Sequence, residues 1–333
     1  MKALSSTLLG LLLLAGCDAS TSEPAAHDLV VTFGDGSGPG GAALYGLVPG
    51  NEPTPLAELA GQDLYWPNCA GLGGPIVLQS NQSSVRGTFS IWVYEAGRLR
   101  PAPAFPDGPL GVDDELHGEL GPQPWAPDGR RFVLSTVEWC TPAIGCREGD
   151  LSIVDLDQGS VTPLTTGSPL DAQAMWDPAG GRIVFSSSYD GGSALFTIRP
   201  DGTELREVTL LSDFSSFSLE SWGPGLDEIT VRTVDLQSSP ASASFVGINV
   251  STGVTRDIPI HTDPLHTFYL EWERSGHTYV STVRTDSLSP SPEYDPVYNV
   301  EVYDVQTGKG EIVLSRPGKG GLIDGPVASW CAP

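Results

Sequence analysis

The sequence predicts an all-β fold, a closed ring of six four-stranded antiparallel sheets, and three observations lead there. Its 333 residues include 40 glycines and 29 prolines, too many turn-formers for a helical protein and too aperiodic for a collagen. Tryptophan recurs six times in a similar context along the chain. The same order of two hairpins fills the interval after each recurrence.

The recurrences are Trp66-Pro67-Asn68, Trp125-Ala126-Pro127-Asp128-Gly129, Trp176-Asp177-Pro178-Ala179-Gly180, Trp222-Gly223-Pro224-Gly225, Trp272-Glu273-Arg274-Ser275-Gly276 and Trp330-Cys331-Ala332-Pro333. Their spacings are 59, 51, 46, 50 and 58 residues; only Trp92 and Trp139 fall outside the pattern. Repeats of this length are those of propeller blades, sheets that cannot bury both faces alone and must stack on neighbours. The interval from Trp176 shows the internal order best. A Pro-Ala-Gly-Gly turn precedes the strand Arg182-Ile183-Val184-Phe185; after a polar loop comes Ala194-Leu195-Phe196-Thr197-Ile198, then an Asp201-Gly202 turn and a closing Glu207-Val208-Thr209. Turn pairs of this kind between apolar runs are hairpin signals. The second hairpin recurs at Ile153–Gly159, Val246–Gly253 and Val302–Gly308, with weaker copies at Ile91–Gly97 and Leu44–Gly50.

Trp330 can end an innermost strand, but the strands that should follow it lie at the other end of the chain, at Asp28–Phe33, Ala42–Val48 and Pro55–Leu59. Joining both ends in one blade closes the ring and removes exposed sheet edges. The expected domain is residues 28–333. The stretches 125–135 (Trp-Ala-Pro-Asp-Gly-Arg-Arg-Phe-Val-Leu-Ser) and 176–186 resemble the WD40-like repeat of TolB-type β-propellers. That resemblance implies the fold and not a function. The repeats start at residue 28, with no separate N-terminal domain before them as in TolB, so a role in the Tol envelope machine is not implied.

At the N-terminus, Lys2 precedes an apolar run from Leu8 to Leu14, interrupted by Gly10, and then Leu14-Ala15-Gly16-Cys17. The run is too short for a permanent membrane helix and reads as an export signal. Ending in small residues and a cysteine, it resembles a bacterial lipoprotein signal. This implies removal of residues 1–16, lipidation of Cys17 and a flexible tether over 17–27. An ordinary secretory signal with an incidental cysteine is the other reading. Asp18 resembles the inner-membrane retention signal of enteric bacteria; the outer membrane or the cell surface are the other destinations. Removing the signal removes a single charge, Lys2, so the acidity belongs to the remainder.

With Cys17 lipidated, four cysteines remain, an even number that invites disulfides in an oxidising compartment. Cys140 and Cys146 bracket a Thr-Pro-Ala-Ile-Gly loop, and Cys69 and Cys331 occupy similar places after Trp66 and Trp330, in blades that adjoin once the ring closes. A metal site and free thiols are the alternatives for these four, with no Cys-x-x-Cys pair to favour zinc.

The 41 acidic side chains against 17 basic, a formal charge of −24, repel phosphate backbones and make nucleic acid a poor partner. The two turns within hairpins fall on one face of such a ring and are tight. The other face is expected to collect the insertions Asn81–Gly87, Arg98–Gly118, Glu138–Asp150, Asp235–Ser244, Asp286–Asn299 and Ser315–Asp324. Loops gathered on a rigid scaffold are where binding usually resides. The acids Asp113, Asp114, Glu115, Glu148, Asp150, Asp286, Glu293 and Asp295 mark that face as the candidate site for a cation or basic peptide. Solvated surface charge is the plainer account of them.

No Gly-x-Ser-x-Gly, His-Glu-x-x-His, Gly-x-x-x-x-Gly-Lys or full calcium loop occurs, so no catalytic or metal residue is assigned. Asp155-Leu-Asp157-Gln-Gly159 reads as a turn. His117, His261 and His266 fall near blade boundaries without an assigned role. The expectation is a monomeric, lipid-anchored scaffold of the cell envelope that binds a protein, a peptide or another ligand without a cofactor. Calcium is the ion its acidic face would suit. The alternative is a metal-dependent propeller enzyme, lactonase- or polysaccharide-lyase-like, working at the channel mouth.

Overall fold

The computed structural model describes residues 29–34, 42–81, 89–103, 118–141, 145–167, 171–189, 192–211, 216–223, 227–235, 242–258, 260, 267–273, 278–284, 297–317 and 327–331. The first blade contains β1 (Leu29–Gly34), β2 (Ala42–Leu47) and β3 (Thr54–Ala57). The second contains β4 (Leu64–Cys69), β5 (Ile76–Asn81), β6 (Phe89–Glu95) and β7 (Arg98–Pro101). In the third are β8 (Arg131–Thr141), β9 (Gly145–Asp155) and β10 (Ser160–Pro163); in the fourth, β11 (Asp171–Trp176), β12 (Ile183–Tyr189), β13 (Gly192–Ile198) and β14 (Arg206–Leu210). The fifth is β15 (Ser216–Trp222), β16 (Glu228–Asp235), β17 (Ser242–Asn249) and β18 (Thr255–Asp257), and the sixth is β19 (Thr267–Trp272), β20 (Thr278–Arg284), β21 (Val297–Asp304) and β22 (Lys309–Pro317). Finally β23 (Val327–Trp330) pairs antiparallel with β1, Leu29 opposite Trp330, and completes the order β23-β1-β2-β3. The ring is a six-bladed β-propeller closed by its two ends, and no helix occurs among the described residues.

The third blade departs from the regular pattern. Its innermost place is taken by residues 118–126, joined to β8 through the bridges Glu119↔Ser135 and Trp125↔Phe132. Pro122 and Pro124 stand between those bridges and lack an N–H, which breaks a continuous ladder there.

Several inner strands carry continuous apolar runs, Phe132-Val133-Leu134 and Ile183-Val184-Phe185 among them, because each blade is buried on both faces, the logic of any sheet covered on two sides. On β8, Phe132 and Leu134 pack with Val77, Ile91 and Val93 of the second blade, while the intervening Val133 packs with Trp176, Ile183 and Phe185 of the fourth. Leu29 and Val31 likewise face the sixth blade while Val30 faces the second. One apolar cluster lies between each pair of neighbouring blades.

Two segments expected as loop are strand. Arg98–Pro101 is the outer strand of the second blade, and Glu138–Asp150 carries the β8–β9 ladder onward, from Glu138↔Glu148 to Thr141↔Gly145. Thr136, Val137, Trp139 and Thr141 are strand formers, and their propensity extends the hairpin. The ends of the other expected loops, at Asp235, Ser242–Ser244, Val297–Asn299 and Ser315–Pro317, also lie within strands.

Cys69 ends β4 and Cys331 follows β23; a disulfide joins them with their Cα atoms 5.1 Å apart. The backbone sets Cys140 opposite Cys146 across β8–β9, with their side chains outside the described residues. The Cys69–Cys331 bridge closes a loop of 262 residues, and restricting the unfolded chain on that scale is worth up to about 5 kcal/mol. Cys69→Ser is therefore expected to lower the midpoint of denaturant unfolding strongly. Mild reduction of the wild type should reproduce the loss.

Candidate functional site

An innermost strand has a partner on one side only, so its other edge presents N–H and C=O groups toward the ring centre that need partners of their own. The next blade provides many of them. Gln173 Oε1 accepts from Leu219 N at 2.8 Å, between the fourth and fifth blades. Glu220 Oε2 accepts from Leu270 N at 3.1 Å and Ser221 Oγ from Trp272 N at 3.1 Å, between the fifth and sixth. Glu271 Oε2 accepts from Trp330 N at 3.3 Å, and the Trp330 indole donates to Glu271 O at 3.3 Å. Ser329 Oγ accepts from Cys69 N at 3.5 Å, and Asn68 O from the Trp125 indole at 2.8 Å.

Several of these acceptors sit where the innermost strands bulge. Register shifts fall between Ala172 and Met175 and between Leu219 and Ser221, and Gln173 adopts a left-handed φ of 53°. A bulge re-aims a side chain that regular pleating would keep between the blades. The local strain at Gln173 coincides with its reach to the neighbouring blade.

The segment Gly121–Pro124 spans the ring itself. Gln123 belongs to the third blade, yet its carbonyl accepts from Trp176 N of the fourth at 3.0 Å and its side-chain oxygen from Trp222 N of the fifth at 2.8 Å. Its side-chain NH2 donates to Glu271 Oε1 of the sixth at 3.3 Å. Tyr269 of the sixth donates to Glu271 Oε2 at 2.9 Å and lies 3.4 Å from Pro122 O. The chain can pass this closely because residue 121 is glycine; a Cβ there would fall 2.0 Å from Ala174 O. The third and sixth blades are opposite each other, so the channel is plugged where they meet.

Above the plug, on the face of the tight turns, a cup of about 260 Å³ opens. Trp125, Trp176, Trp222, Trp272 and Trp330 line its wall, Gln123 and Glu271 its floor, and Pro127, Pro178 and Glu273 stand among its remaining lining residues. The turn after the tryptophan is shaped by Asp128, whose Oδ1 accepts from Arg130 N and Arg131 N, and by Gly129 and Gly180 at φ 65° and 78°, a region that favours glycine. The arginine six residues after the tryptophan reaches the next blade. Arg131 lies 5.3 Å over the Trp176 ring and Arg182 5.8 Å over Trp222, while ion pairs to Asp128 for the first and to Asp177 and Asp227 for the second balance their charge.

Burial and charge set the chemistry of the floor. Glu271 is buried, and desolvation pushes its carboxyl up to about 7 against the opposing pull of bonds from Ser329, Tyr269, Gln123 and Trp330. The Tyr269 hydroxyl is driven well above its usual range by burial and then by Glu271. Desolvation also raises Glu220, though Arg232 pairs with it at 3.1 Å, and Glu119. Among the described residues no group of three His, Cys, Asp or Glu is arranged to hold a metal ion.

The cup opens opposite the face expected to bind. Asp113, Asp114, Glu115, Asp286, Glu293 and Asp295 lie outside the described residues, as do Cys17 and His117, His261 and His266, and Glu148 is described only in its backbone. Asp150 accepts from Gly167 N at 3.4 Å in the connection to the fourth blade and does not line the cup. Asp155 Oδ1 accepts from the N–H groups of Asp157 and Gln158, the arrangement of a turn. The polar residues of the cup floor, Gln123 and Glu271, and the blade-linking Glu220 went unremarked in the sequence. Their signal is a polar residue one or two places before a repeat tryptophan.

No family model matches this chain. Among solved structures it is similar to TolB from Acinetobacter baumannii, with a TM-score of 0.61 at 14% identity over 92% of this chain; the match spans 66% of that protein's length. It is similar also to a chain of the nidogen/laminin complex, at 0.54 and 10% over 92% of this chain and 100% of the other. A putative TolB from Agrobacterium tumefaciens matches at 0.53 and 12%, over 92% and 99%.

A carboxyl that titrates near 7 when folded and near 4.5 when unfolded holds more protons in the folded state between those values, so its contribution to stability is full below the lower one and is lost as pH rises through the upper. Thermal stability is expected to fall from pH 5 to pH 8, and Glu271→Gln to flatten that slope. Gln123→Ala leaves Trp222 N without its acceptor, a loss of about 1–3 kcal/mol to be read in denaturant unfolding. Likeness of fold and strand order meet in one description of the chain, a TolB-like six-bladed β-propeller.

Proposed function

We propose that this chain is a lipid-anchored binding module of a bacterial cell envelope, which seats a segment of a partner in the indole-lined cup on its tight-turn face. The observation that carries the reading is the cup: a concave, largely apolar site with a few convergent polar groups and a perturbed carboxyl, the usual form of a ligand pocket. Its rigidity supports it too, since wall and floor stand on innermost strands cross-linked from blade to blade. Lipidation rests on Leu14-Ala15-Gly16-Cys17. The acidic surface suits a basic partner and not nucleic acid.

Two measurements test the proposal. Cells fed an alkyne-bearing fatty acid should label the wild-type chain, and Cys17→Ser should abolish the label and release the protein from membranes. A photo-crosslinking residue at Pro178, exposed on the cup rim, should capture a defined partner in intact envelopes, while one at exposed Leu210 on the outer strand β14 should not. Equal capture from both positions would remove the cup from the proposal.

A further inference from the structure

The two halves of the Cys69–Cys331 disulfide differ in access. Cys69 is half-buried and lines the cup beside Gly71. Cys331 is 3% exposed, packs with Val30, Leu64 and Ile76, and does not belong to the lining. The hairpin tip after Cys69 leaves room for an approach, since a Cβ added at Gly71 or Gly73 would meet nothing within 4 Å. A disulfide exchanges when a thiolate reaches one of its sulfurs, so access decides which sulfur is attacked and which one leaves.

The bond holds a short strand in place. β23 has four residues, pairs with β1 along one edge, and brings Trp330 into the wall of the cup. Across the ring centre, Trp330 and Ser329 bond to Glu271, and Ser329 Oγ accepts from Cys69 N. The covalent tie to β4 is the disulfide itself. A short element hydrogen-bonded in a ladder on one side belongs to the low-stability end of a fold and opens before the rest.

We propose that Cys69–Cys331 is a thiol-exchange site that controls the seam of the ring, with a protein dithiol as its co-reactant. The first thiolate attacks Cys69 Sγ from the cup. A new S–S bond forms there, the Cys69–Cys331 bond breaks, and its electron pair leaves on Cys331 Sγ, which takes a proton from water. The second thiolate of the dithiol then attacks its neighbour's sulfur in the mixed disulfide and releases Cys69, which is protonated in turn. The dithiol is oxidised by two electrons and the cystine is reduced by two. Apolar surroundings keep Cys331 in its thiol form, which slows its return attack. β23 then opens from β1 while the other blades stay intact, and Trp330 leaves the wall. On the reading of the cup as a binding site, that site is complete only in the oxidised protein.

The oxidised full chain is treated with dithiothreitol over a range of concentrations and quenched with iodoacetamide, and its Cys69 and Cys331 peptides are followed by mass. The rate of reduction is expected to rise in proportion to the dithiol and to be unchanged by a sub-denaturing concentration of urea. A plateau, or acceleration by urea, means that unfolding must come first and overturns the site. With glutathione, a monothiol, the mixed disulfide should form about tenfold more on Cys69 than on Cys331, following accessibility. An equal split, or an excess on Cys331, overturns attack from the cup. Amide hydrogen exchange then compares the oxidised and reduced chains. Reduction should speed exchange in Val327–Trp330 and in β1 about tenfold, with β12 and β13 of the fourth blade unchanged. Cys69→Ser should exchange like the reduced chain and no longer respond to dithiothreitol. Unchanged exchange in β23, or equal acceleration in every blade, overturns control of the seam. These readouts involve no ligand, so failure of the cup as a binding site is seen separately, as absence of capture from Pro178.

Discussion

The structure turns on the free edge of the innermost strands. Six sheets stacked face to face can bury their apolar surfaces well, but each leaves one row of backbone groups toward the centre of the ring, where unpaired N–H and C=O groups are costly. In this protein many of those groups are met by side chains of the adjacent blade: Gln173, Glu220, Ser221, Glu271 and Ser329 each accept from an innermost strand next door. The same bonds hold the blades in register and determine which polar atoms gather at the centre. A carboxyl such as Glu271 is therefore a structural acceptor first, and its proton-holding character follows from the burial that this duty requires.

Much of the architecture was legible in the sequence because blade stacking imposes a coarse, repeated pattern. Trp125 and Trp176, each followed by a turn and an apolar run such as Phe132-Val133-Leu134 or Ile183-Val184-Phe185, state both the period and the double-sided burial. Closure by β1 and β23 was legible too, since the unmatched Trp330 needed strands that only the other end of the chain held. The cup was not. Gln123 in Gly-Pro-Gln-Pro looks like a turn residue, and nothing local says that it reaches three other blades. Its contacts are separated by as many as 148 residues, and a repeat pattern carries no record of what meets at the axis. The conspicuous acids drew attention to the long loops for the opposite reason: charge is easy to read locally, whereas convergence is not.

The two faces of the ring consequently differ in kind. On the tight-turn side, hydrogen-bonded turns, arginines laid over neighbouring indoles and ion pairs between blades, such as Arg130 with Glu95 and Arg182 with Asp227, make a fixed rim. Partly exposed pairs of this sort add little stability singly, but each joins one blade to the next and so helps to hold the rim. Its floor is equally fixed, because Gln123 is held from three directions. A site framed in this way meets its ligand already formed, and little ordering cost falls on the protein when something binds.

The pairing of Leu29 with Trp330 has a geometric consequence of its own. Trp330 stands in the wall of the cup, so the chain enters the propeller on the cup side, at the rim, and not among the long loops. From Cys17 to Leu29 the backbone advances twelve residues, which at full stretch is about 40 Å. A lipid at Cys17 would hold the cup on a short leash, within reach of the bilayer surface and of whatever lies close to it. With the lipid proposed above in place, the long-loop face would look away from the anchor, and the two sides of one small ring would stand at different distances from the bilayer.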